Sequence, residues 1–504
     1  MNLPRQTGFF GHPAGLRTLF FAELWERFSF YGMRVLLTLF MVAPLTDGGL
    51  GWSPSKSGAV YALYASLVYI AALPGGWIAD RVLGARRSVF IGGCIIMSGH
   101  IALAVPSLPT FFLGLALVVT GTGLLKPNIS TMVGQLYAPA DQRRDAGFSL
   151  FYMGINLGAL IAPLVTATLA QSDWFKGVLS GWGIRPQYSW HWGFAAAAVG
   201  MFFGLVWYVI DRRTLGEAGL HPAPVGGPEE AAAVRRSLIR GLVLVPGVLL
   251  ILTLLRIAGI LTFSIESLSS SFGVVLVFAV IAFFAWLFGS GNWTPEERKR
   301  LVVVAVLFFA EAVFWSVFEQ AGSTLNLFAN NNTRNVAFGH TFPSGYWQSV
   351  NSALIVIFAP VFAWIWFKLG PRNPSSPTKF ALGLFFASLS FAWMIPGAML
   401  ATHGNRVGWW WLLGSYFLAT VGELCLSPVG LSAMTRLAPS RVGSMIMGVW
   451  FFGTAVGEYI AGTVSRLYGS MSLAGLFASV AAYAMVFAII LALLVRPIKR
   501  MLAS

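Results

Sequence analysis

The sequence predicts an all-α membrane protein with fourteen transmembrane helices. Of its 504 residues, 57% are hydrophobic and only 10% are charged, whereas soluble globular chains carry about 25% charged residues. The apolar runs are about 20 residues long, as a membrane-crossing helix requires, and they lack the alternation of barrel strands. The predicted spans are residues 15–43, 56–80, 87–106, 108–137, 145–170, 191–211, 238–256, 270–289, 300–328, 345–367, 380–400, 408–435, 442–465 and 472–495.

Lys and Arg residues are distributed unequally between alternate loops of this topology. Twenty-three lie on the side that holds both termini, and seven lie on the opposite side. Because cytoplasmic loops of membrane proteins carry an excess of Lys and Arg, we expect both termini in the cytoplasm. The same distribution explains the net charge of +15 by topology and anionic lipid, so no nucleic-acid partner is expected.

After the charges near the span ends are assigned to the loops, three cations and six glutamates remain within the predicted spans. Each costs at least ~2.5–3.5 kcal/mol on membrane-insertion scales, so these groups should face the protein interior or a wet cavity and mark function. They are Arg27, Arg34, Lys126, Glu23, Glu26, Glu311, Glu319, Glu423 and Glu458.

The first span carries a polar stripe formed by Glu23, Arg27, Tyr31 and Arg34, with Glu26 beside it. Residues three or four apart share a helix face, and the order from Glu23 to Arg27 favours an ion pair. An acid beside a guanidinium stays ionised until that partner is withdrawn, and then it binds a proton more readily. The stripe is therefore either a proton switch or a static pair that fixes the first span to its neighbours.

The remaining intramembrane charges lack a partner on their own helices. Lys126 is expected to bridge to Glu423, which lies in the repeat-equivalent stretch of the second half. Such a bridge could form in one conformation and break in another, or it could be permanent. Glu311 and Glu319 lie roughly on one helix face, so either could be a second proton site. Glu458 is expected only to support a helix–helix contact.

The two halves of the chain resemble each other. The segment 151–162 aligns with 450–461, and Gly121 aligns with Gly422. A parallel repeat of six spans places the binding site between the halves, near the membrane midplane. The expected units are residues 1–213 as the first six-helix bundle, 214–296 as a linker with an inserted transmembrane hairpin, and 297–504 as the second six-helix bundle.

The sequence contains no P-loop, no GxSxG motif and no paired metal-ligand spacing. We therefore expect a protein that is not an enzyme, binds no cofactor, and draws its energy from an ion gradient rather than from ATP.

Several motifs together resemble the proton-coupled oligopeptide transporters of the major facilitator superfamily. The family's ExxER motif is present as Glu23-Leu-Trp-Glu26-Arg27, and the segment 151–158 resembles the family signature of span five. Further matches are Gly76–Arg87, which resembles the superfamily loop between helices two and three, and the stretches Lys126-Pro127-Asn128, Glu319-Gln320 and Gly422–Pro428. The additional hairpin resembles that of bacterial members with fourteen helices.

The resemblance implies a major facilitator fold in the bacterial inner membrane. It implies a monomeric transporter that carries di- and tripeptides into the cell together with protons, by alternating access, with a carrier of another anion or of a drug as the alternative. The implied proton-coupling residues are Glu23, Glu26, Arg27, Lys126, Glu319 and Glu423. The implied peptide contacts are Arg27, Tyr31, Tyr69, Lys126, Asn156, Trp315, Asn351, Glu423 and Trp450. Gating or structural roles fall to Arg34, Asp80, Arg81 and Pro127.

Two positions depart from the family pattern. Phe30 replaces a common Tyr, which removes one hydroxyl contact, and Asn351-Ser352 replaces a common Asn-Pro, which leaves the kink of that helix without its proline.

Overall fold

The computed structural model describes residues 7–138, 141–222, 227–259, 262–289, 291, 293–401, 404–437 and 443–503. These residues form a bundle of helices together with two short β-hairpins, Thr7–Phe9 with His12–Pro13 and Val336–Ala337 with His340–Thr341. The helices are α1 (Ala14–Val42), α2 (Pro54–Ile70), α3 (Ala72–Ile78), α4 (Ala85–Leu103), α5 (Leu108–Gln135), α6 (Arg144–Gln171), α7 (Asp173–Gly181), α8 (Ser189–Asp211), α9 (Pro228–Ile257), α10 (Ile265–Gly289), α11 (Pro295–Phe318), α12 (Thr324–Asn331), α13 (Gln348–Leu369), α14 (Ser376–Leu400), α15 (Trp410–Leu437), α16 (Gly443–Ser465) and α17 (Leu473–Ala503).

Each of the fourteen predicted spans coincides with one long helix or with a group of consecutive helices, so the all-α membrane fold is confirmed. Within the described ranges, nine helices or helix groups qualify as membrane spans by length and hydropathy alone. Helix α1 is not among them, because Glu23, Glu26, Arg27 and Arg34 interrupt its apolar sequence. The charges that point to function are thus the same ones that weaken the hydropathy signal.

The ninth predicted span, 300–328, is present, but it is not one continuous α-helix. Helix α11 ends at Phe318, a 3-10 turn spans Glu319–Gly322, and α12 then continues to Asn331. At this break, Gly322 packs against α1 and α2. A Cβ at Gly322 would come within 2.2 Å of the Tyr61 hydroxyl. The break places the Glu319 carboxylate at the end of α11, beside the first half.

Helix α13 runs without interruption through Ser352, and its internal proline is Pro360. The helix therefore passes the position of the missing family proline as ordinary α-helix. Two further features were not predicted: the amphipathic helix α7, and a π-helical turn at Ala79–Leu83 that ends the second span.

The sequence repeat corresponds to equivalent helix contacts in the two halves. Gly158 of α6 lies against α1, where a Cβ would be 2.3 Å from the Leu24 carbonyl oxygen. Gly457 of α16 lies against α11 in the same way, and there a Cβ would be 2.8 Å from the Ala312 carbonyl oxygen. Glycine at these positions allows backbone-to-backbone contact. Helices α1 and α11 are therefore structural counterparts.

The two halves meet tightly at the face of the bundle where α1 ends, which we call the far face. The Thr38 hydroxyl donates to the Gly322 carbonyl (3.0 Å), and the Asn326 amide donates to the Val35 carbonyl (2.9 Å). The Ser349 hydroxyl donates to a carbonyl of α6 at 2.7 Å. These contacts join α1 and α6 of the first half to α12 and α13 of the second, and they close the far face.

Candidate functional site

The predicted charged stripe on α1 forms a buried ion-pair cluster around Arg27. Its Nη2 donates to Glu26 Oε1 at 2.6 Å, and its Nε donates to the other Glu26 oxygen. Glu23 Oε1 lies 3.3 Å from the same Nε. All three residues are at most 3% exposed. Glu26 therefore holds the guanidinium in a two-point contact, the stronger kind of charge-assisted pair, whereas Glu23 is the looser partner.

Close contact between α3 and α5 places Lys126 on the same side of the site as Arg27. A Cβ at Gly75 of α3 would be 2.0 Å from the Gly123 carbonyl oxygen, so α3 and α5 touch one turn before Lys126. The Lys126 ammonium lies 3.8 Å from the centre of the Tyr69 ring, a cation–π contact. It is also within electrostatic range of Arg27. The first half thus presents two cations.

The second half presents Glu423, which is 6% exposed. The Asn351 amide donates to Glu423 Oε2 at 3.0 Å and to the Thr420 hydroxyl at 3.0 Å. Tyr152 of α6 interacts with Glu423 from the first half. The acid is therefore oriented by α13 and also reached from the opposite half.

The predicted bridge between Lys126 and Glu423 is not formed. Among the described residues, Lys126 faces the Tyr69 ring, and Glu423 accepts a hydrogen bond from Asn351 instead. With the far face closed, the two groups lie on opposite sides of the site.

Arg34 and Glu319 form the ion pair that connects the two halves directly. Arg34 Nη2 contacts Glu319 Oε2, and Arg34 Nε donates to the Tyr61 hydroxyl at 2.8 Å. Both charged side chains are at least nine-tenths buried. Tyr31, one turn earlier on α1, lies within electrostatic range of Arg34, Glu319 and Glu423. The α1 stripe therefore extends from the Arg27 cluster to the closed far face.

Comparisons with known proteins agree with this arrangement. The PTR2 family model, described as the POT family, matches residues 86–485. This chain belongs to the POT family. It is 39% identical to "Peptide transporter YePEPT" of Yersinia enterocolitica, over 99% of this chain and 97% of that protein. It is 37% identical to the "Di-/tripeptide transporter" of Lactococcus lactis subsp. cremoris, over 98% of each. A crystal structure of a peptide transporter POT in complex with sulfate superposes with a TM-score of 0.88, at 42% identity, over 99% of this chain and 97% of that one.

Membership in the POT family confirms that the chain is a multi-pass membrane transporter and not an enzyme.

Not every predicted residue of this POT-family chain lies in the charged cluster. Asp80 and Arg81 lie in the π-helical turn that ends the second span, and Arg81 pairs with Glu230 at 2.6 Å on an exposed surface. The Asn156 amide donates to the Tyr152 carbonyl at 3.0 Å. Pro127 lies inside α5, next to Lys126.

The two predicted tryptophans pack against other helices of the second half. Trp315 of α11 packs against Gly457, where a Cβ would be 2.6 Å from the Trp315 Cβ. Trp450 of α16 is 8% exposed and meets the Phe380 ring edge-on at 6.4 Å.

Sequence reasoning missed three polar residues of the site. Tyr61 supports Arg34, Tyr152 reaches Glu423, and the Thr454 hydroxyl donates to Glu311 Oε1 at 2.9 Å. Tyr61 carried a signal, because a tyrosine at a buried membrane position needs a partner for its hydroxyl. Tyr152 is 37% exposed, so that argument does not apply to it. Thr454 carried none, because a threonine in a helix can bond to its own backbone.

Proposed function

We propose that this chain is a proton-coupled symporter of di- and tripeptides. The observation that carries the proposal is the separation of charge across the site, with Arg27 and Lys126 on the first half and Glu423 with Asn351 on the second. A peptide is a zwitterion at neutral pH. Its carboxylate is complementary to the two cations and its ammonium to the acid, as charge-assisted hydrogen bonding requires. The Yersinia and Lactococcus relatives, both named as peptide transporters, support this choice of substrate.

The same arrangement accounts for short peptides of varied sequence. Anchors for the two ends at a fixed spacing limit the length to two or three residues. The peptide side chains lie against Trp315 and Trp450, whose large apolar surfaces accept many shapes without demanding particular hydrogen bonds.

Coupling follows from the shared partner in the Arg27 cluster. When the peptide carboxylate binds Arg27, the guanidinium is drawn away from Glu23 and Glu26. A carboxylate that loses its cation in a dry site takes up a proton more readily. Proton binding and peptide binding therefore assist each other, as reciprocal linkage requires.

The Arg34–Glu319 pair supplies the gate. It fixes the far face in the closed state, and protonation of Glu319 would release Arg34 and favour separation of the halves. Lys126 and Glu423 could then approach each other or the substrate in the alternate conformation. This is a rocking motion of one six-helix unit against the other around a site between them.

The proposal includes a location and an organisation. The chain lies in the bacterial inner membrane with both termini in the cytoplasm, so the far face is external; the excess of Lys and Arg on the termini side supports this orientation. The six-helix units are residues 1–213 and 297–504, and 214–296 carries the inserted hairpin. The ion pairs Arg27–Glu26 and Arg34–Glu319 both form within one chain, which supports a functional monomer.

The direct test is uptake of labelled Ala-Ala by proteoliposomes with an inward proton gradient, with and without an uncoupler. We expect accumulation that the uncoupler collapses. Absence of Ala-Ala uptake, in vesicles whose protein is shown to be folded, would overturn the choice of substrate. Accumulation that survives the uncoupler would overturn proton coupling.

A further inference from the structure

Glu458 of α16 is a buried carboxylate without a matching donor. It is 1% exposed, and its Oε2 accepts no hydrogen bond from any described residue. A carboxylate removed from water is costly unless it is paired and hydrogen-bonded. The position therefore needs an explanation beyond the helix–helix contact that the sequence predicted for it.

The packing of α16 against α2 determines what Glu458 faces. Gly462 lies against Ala62, where a Cβ would be 2.4 Å from the Ala62 Cα, and Gly448 lies against Leu73 at 3.0 Å. The helices thus run antiparallel, and Glu458 faces the part of α2 between these contacts. That part carries Ser66, whose buried hydroxyl has no hydrogen-bond partner within the described ranges.

Tyr69 lies on the same part of α2, and Glu458 is among the charged groups within its electrostatic range. Tyr69 is also the residue whose ring holds Lys126. Glu458 therefore faces the first half across the site, beside a residue pair already assigned to peptide binding.

The described part of the site holds more carboxylates than cations, so the surplus is neutralised either by a proton or by a further cation. Arg27 is shared by Glu23 and Glu26, and Arg34 pairs with Glu319. Lys126 is the third cation, and it rests on an aromatic ring. Arg34 and Lys126 are within electrostatic range of Glu458, but no described cation forms a salt bridge with it. Glu423 is assigned to the peptide ammonium and Glu311 lies inside the second half, so Glu458 is the remaining acid that faces the first half.

We propose that Glu458 is a specificity-determining residue that binds the cationic side chain of peptides containing Lys or Arg. The proposal rests on the proposed peptide transport. A neutral peptide brings one ammonium and one carboxylate, which pair with Glu423 and with Arg27 and Lys126 in our proposal. A Lys or Arg side chain brings one further positive charge to a carboxylate that otherwise lacks a partner, and a buried charge pair of this kind contributes strongly to discrimination.

Glu311 provides the contrast within the same helix pair. It is fully buried, but it accepts a hydrogen bond from the Thr454 hydroxyl and lies against Gly453, inside the contact between α11 and α16. Glu311 thus faces the interior of the second half, whereas Glu458 faces the first half. Of these two acids, Glu458 is therefore the one placed to meet a bound peptide.

The test compares three dipeptides, Ala-Ala, Ala-Lys and Ala-Glu, in proton-driven uptake by wild type, Glu458→Gln, Glu458→Asp and the control Glu266→Gln. Glu266 lies in the first turn of α10, so its substitution removes the same charge outside the site. The readout is the ratio of kcat/KM for Ala-Lys to that for Ala-Ala. We expect Glu458→Gln to lower this ratio about tenfold, Glu458→Asp to restore part of it, and Glu266→Gln to leave it at the wild-type value.

A ratio in Glu458→Gln equal to that in Glu266→Gln would overturn the proposal. So would an equal loss for Ala-Lys and Ala-Ala, because that result indicates a positioning or proton role instead. If a variant no longer transports, binding of the same dipeptides to detergent-solubilised protein replaces the uptake assay. The ratio of the two dissociation constants, for Ala-Lys and Ala-Ala, is then compared in the same way. If wild type accumulates no Ala-Ala, the proposed function has failed; if it does and the ratio is unaffected, only the role of Glu458 has failed.

Discussion

Glu23 of α1 and Glu311 of α11 occupy equivalent positions in the two halves, yet only Glu23 lies beside a guanidinium. The equivalence follows from the glycine contacts, in which Gly158 meets Arg27 as Gly457 meets Trp315. Arg27 of the first half is thus replaced by Trp315 in the second. No described cation pairs with Glu311, so of these two equivalent acids our proposal assigns proton exchange to Glu23.

The first prediction concerns Glu26, which holds Arg27 through two hydrogen bonds. Glu26→Gln should abolish gradient-driven accumulation but preserve exchange of labelled for unlabelled peptide across the membrane. The amide keeps the size of the side chain and cannot be ionised, so binding continues without coupled proton movement. Uptake and counterflow in the same vesicles measure the two activities. Loss of counterflow as well would show that Glu26 is needed for binding or folding.

The second prediction uses the counterpart acid as a contrast. Glu311→Gln should keep gradient-driven uptake within about twofold of wild type, because a glutamine oxygen still accepts the Thr454 hydroxyl and no ion pair is lost. Proteoliposome uptake at equal protein content measures this. A loss as large as that of Glu26→Gln would make Glu311 a proton-coupling site after all.

The sequence predicted the spans and most of the charged site, because intramembrane charges are few and each must find a partner. It predicted that Glu23 and Arg27 pair, since both lie on one helix. It could not predict that Arg34 pairs with Glu319, because that contact depends on how two helices from different halves approach each other. The break after Phe318 was also missed, and there Gly322 packs against Tyr61 and Arg34 of the first half.

The third prediction tests the contact that positions Lys126. Gly75→Ala should destabilise the protein by about 1–3 kcal/mol, the usual cost of overpacking, and lower uptake, because the new Cβ would lie 2.0 Å from the Gly123 carbonyl oxygen. Gly76→Ala is the matched control, since its Cβ would approach only Pro127, at 3.9 Å. Thermal unfolding in detergent compares the two. Equal transition temperatures for both variants would contradict the proposed contact.

The fourth prediction concerns the gate between Arg34 and Glu319. Removing one member of a buried ion pair costs about 3–5 kcal/mol because the other charge is left uncompensated. Only the far-face-closed state contains this pair by our proposal, so Glu319→Gln should shift the population toward a far-face-open state. Spin labels at Thr46 and His340, exposed positions on the far-face loops of the two halves, measure the change after Cys94 and Cys425 are replaced by Ala.

The matched control for the gate is Tyr61→Phe, which removes the 2.8 Å hydrogen bond to Arg34 but keeps the ion pair. Tyr61→Phe should destabilise the closed state by about 1 kcal/mol, which is typical of one hydrogen bond. It should therefore shift the label distances much less than Glu319→Gln does. If Glu319→Gln loses uptake while its label distances match those of wild type, the pair acts in proton transfer alone and does not hold the far face closed. If both variants shift the distances equally, the closed state depends on the orientation of Arg34 rather than on its charge partner.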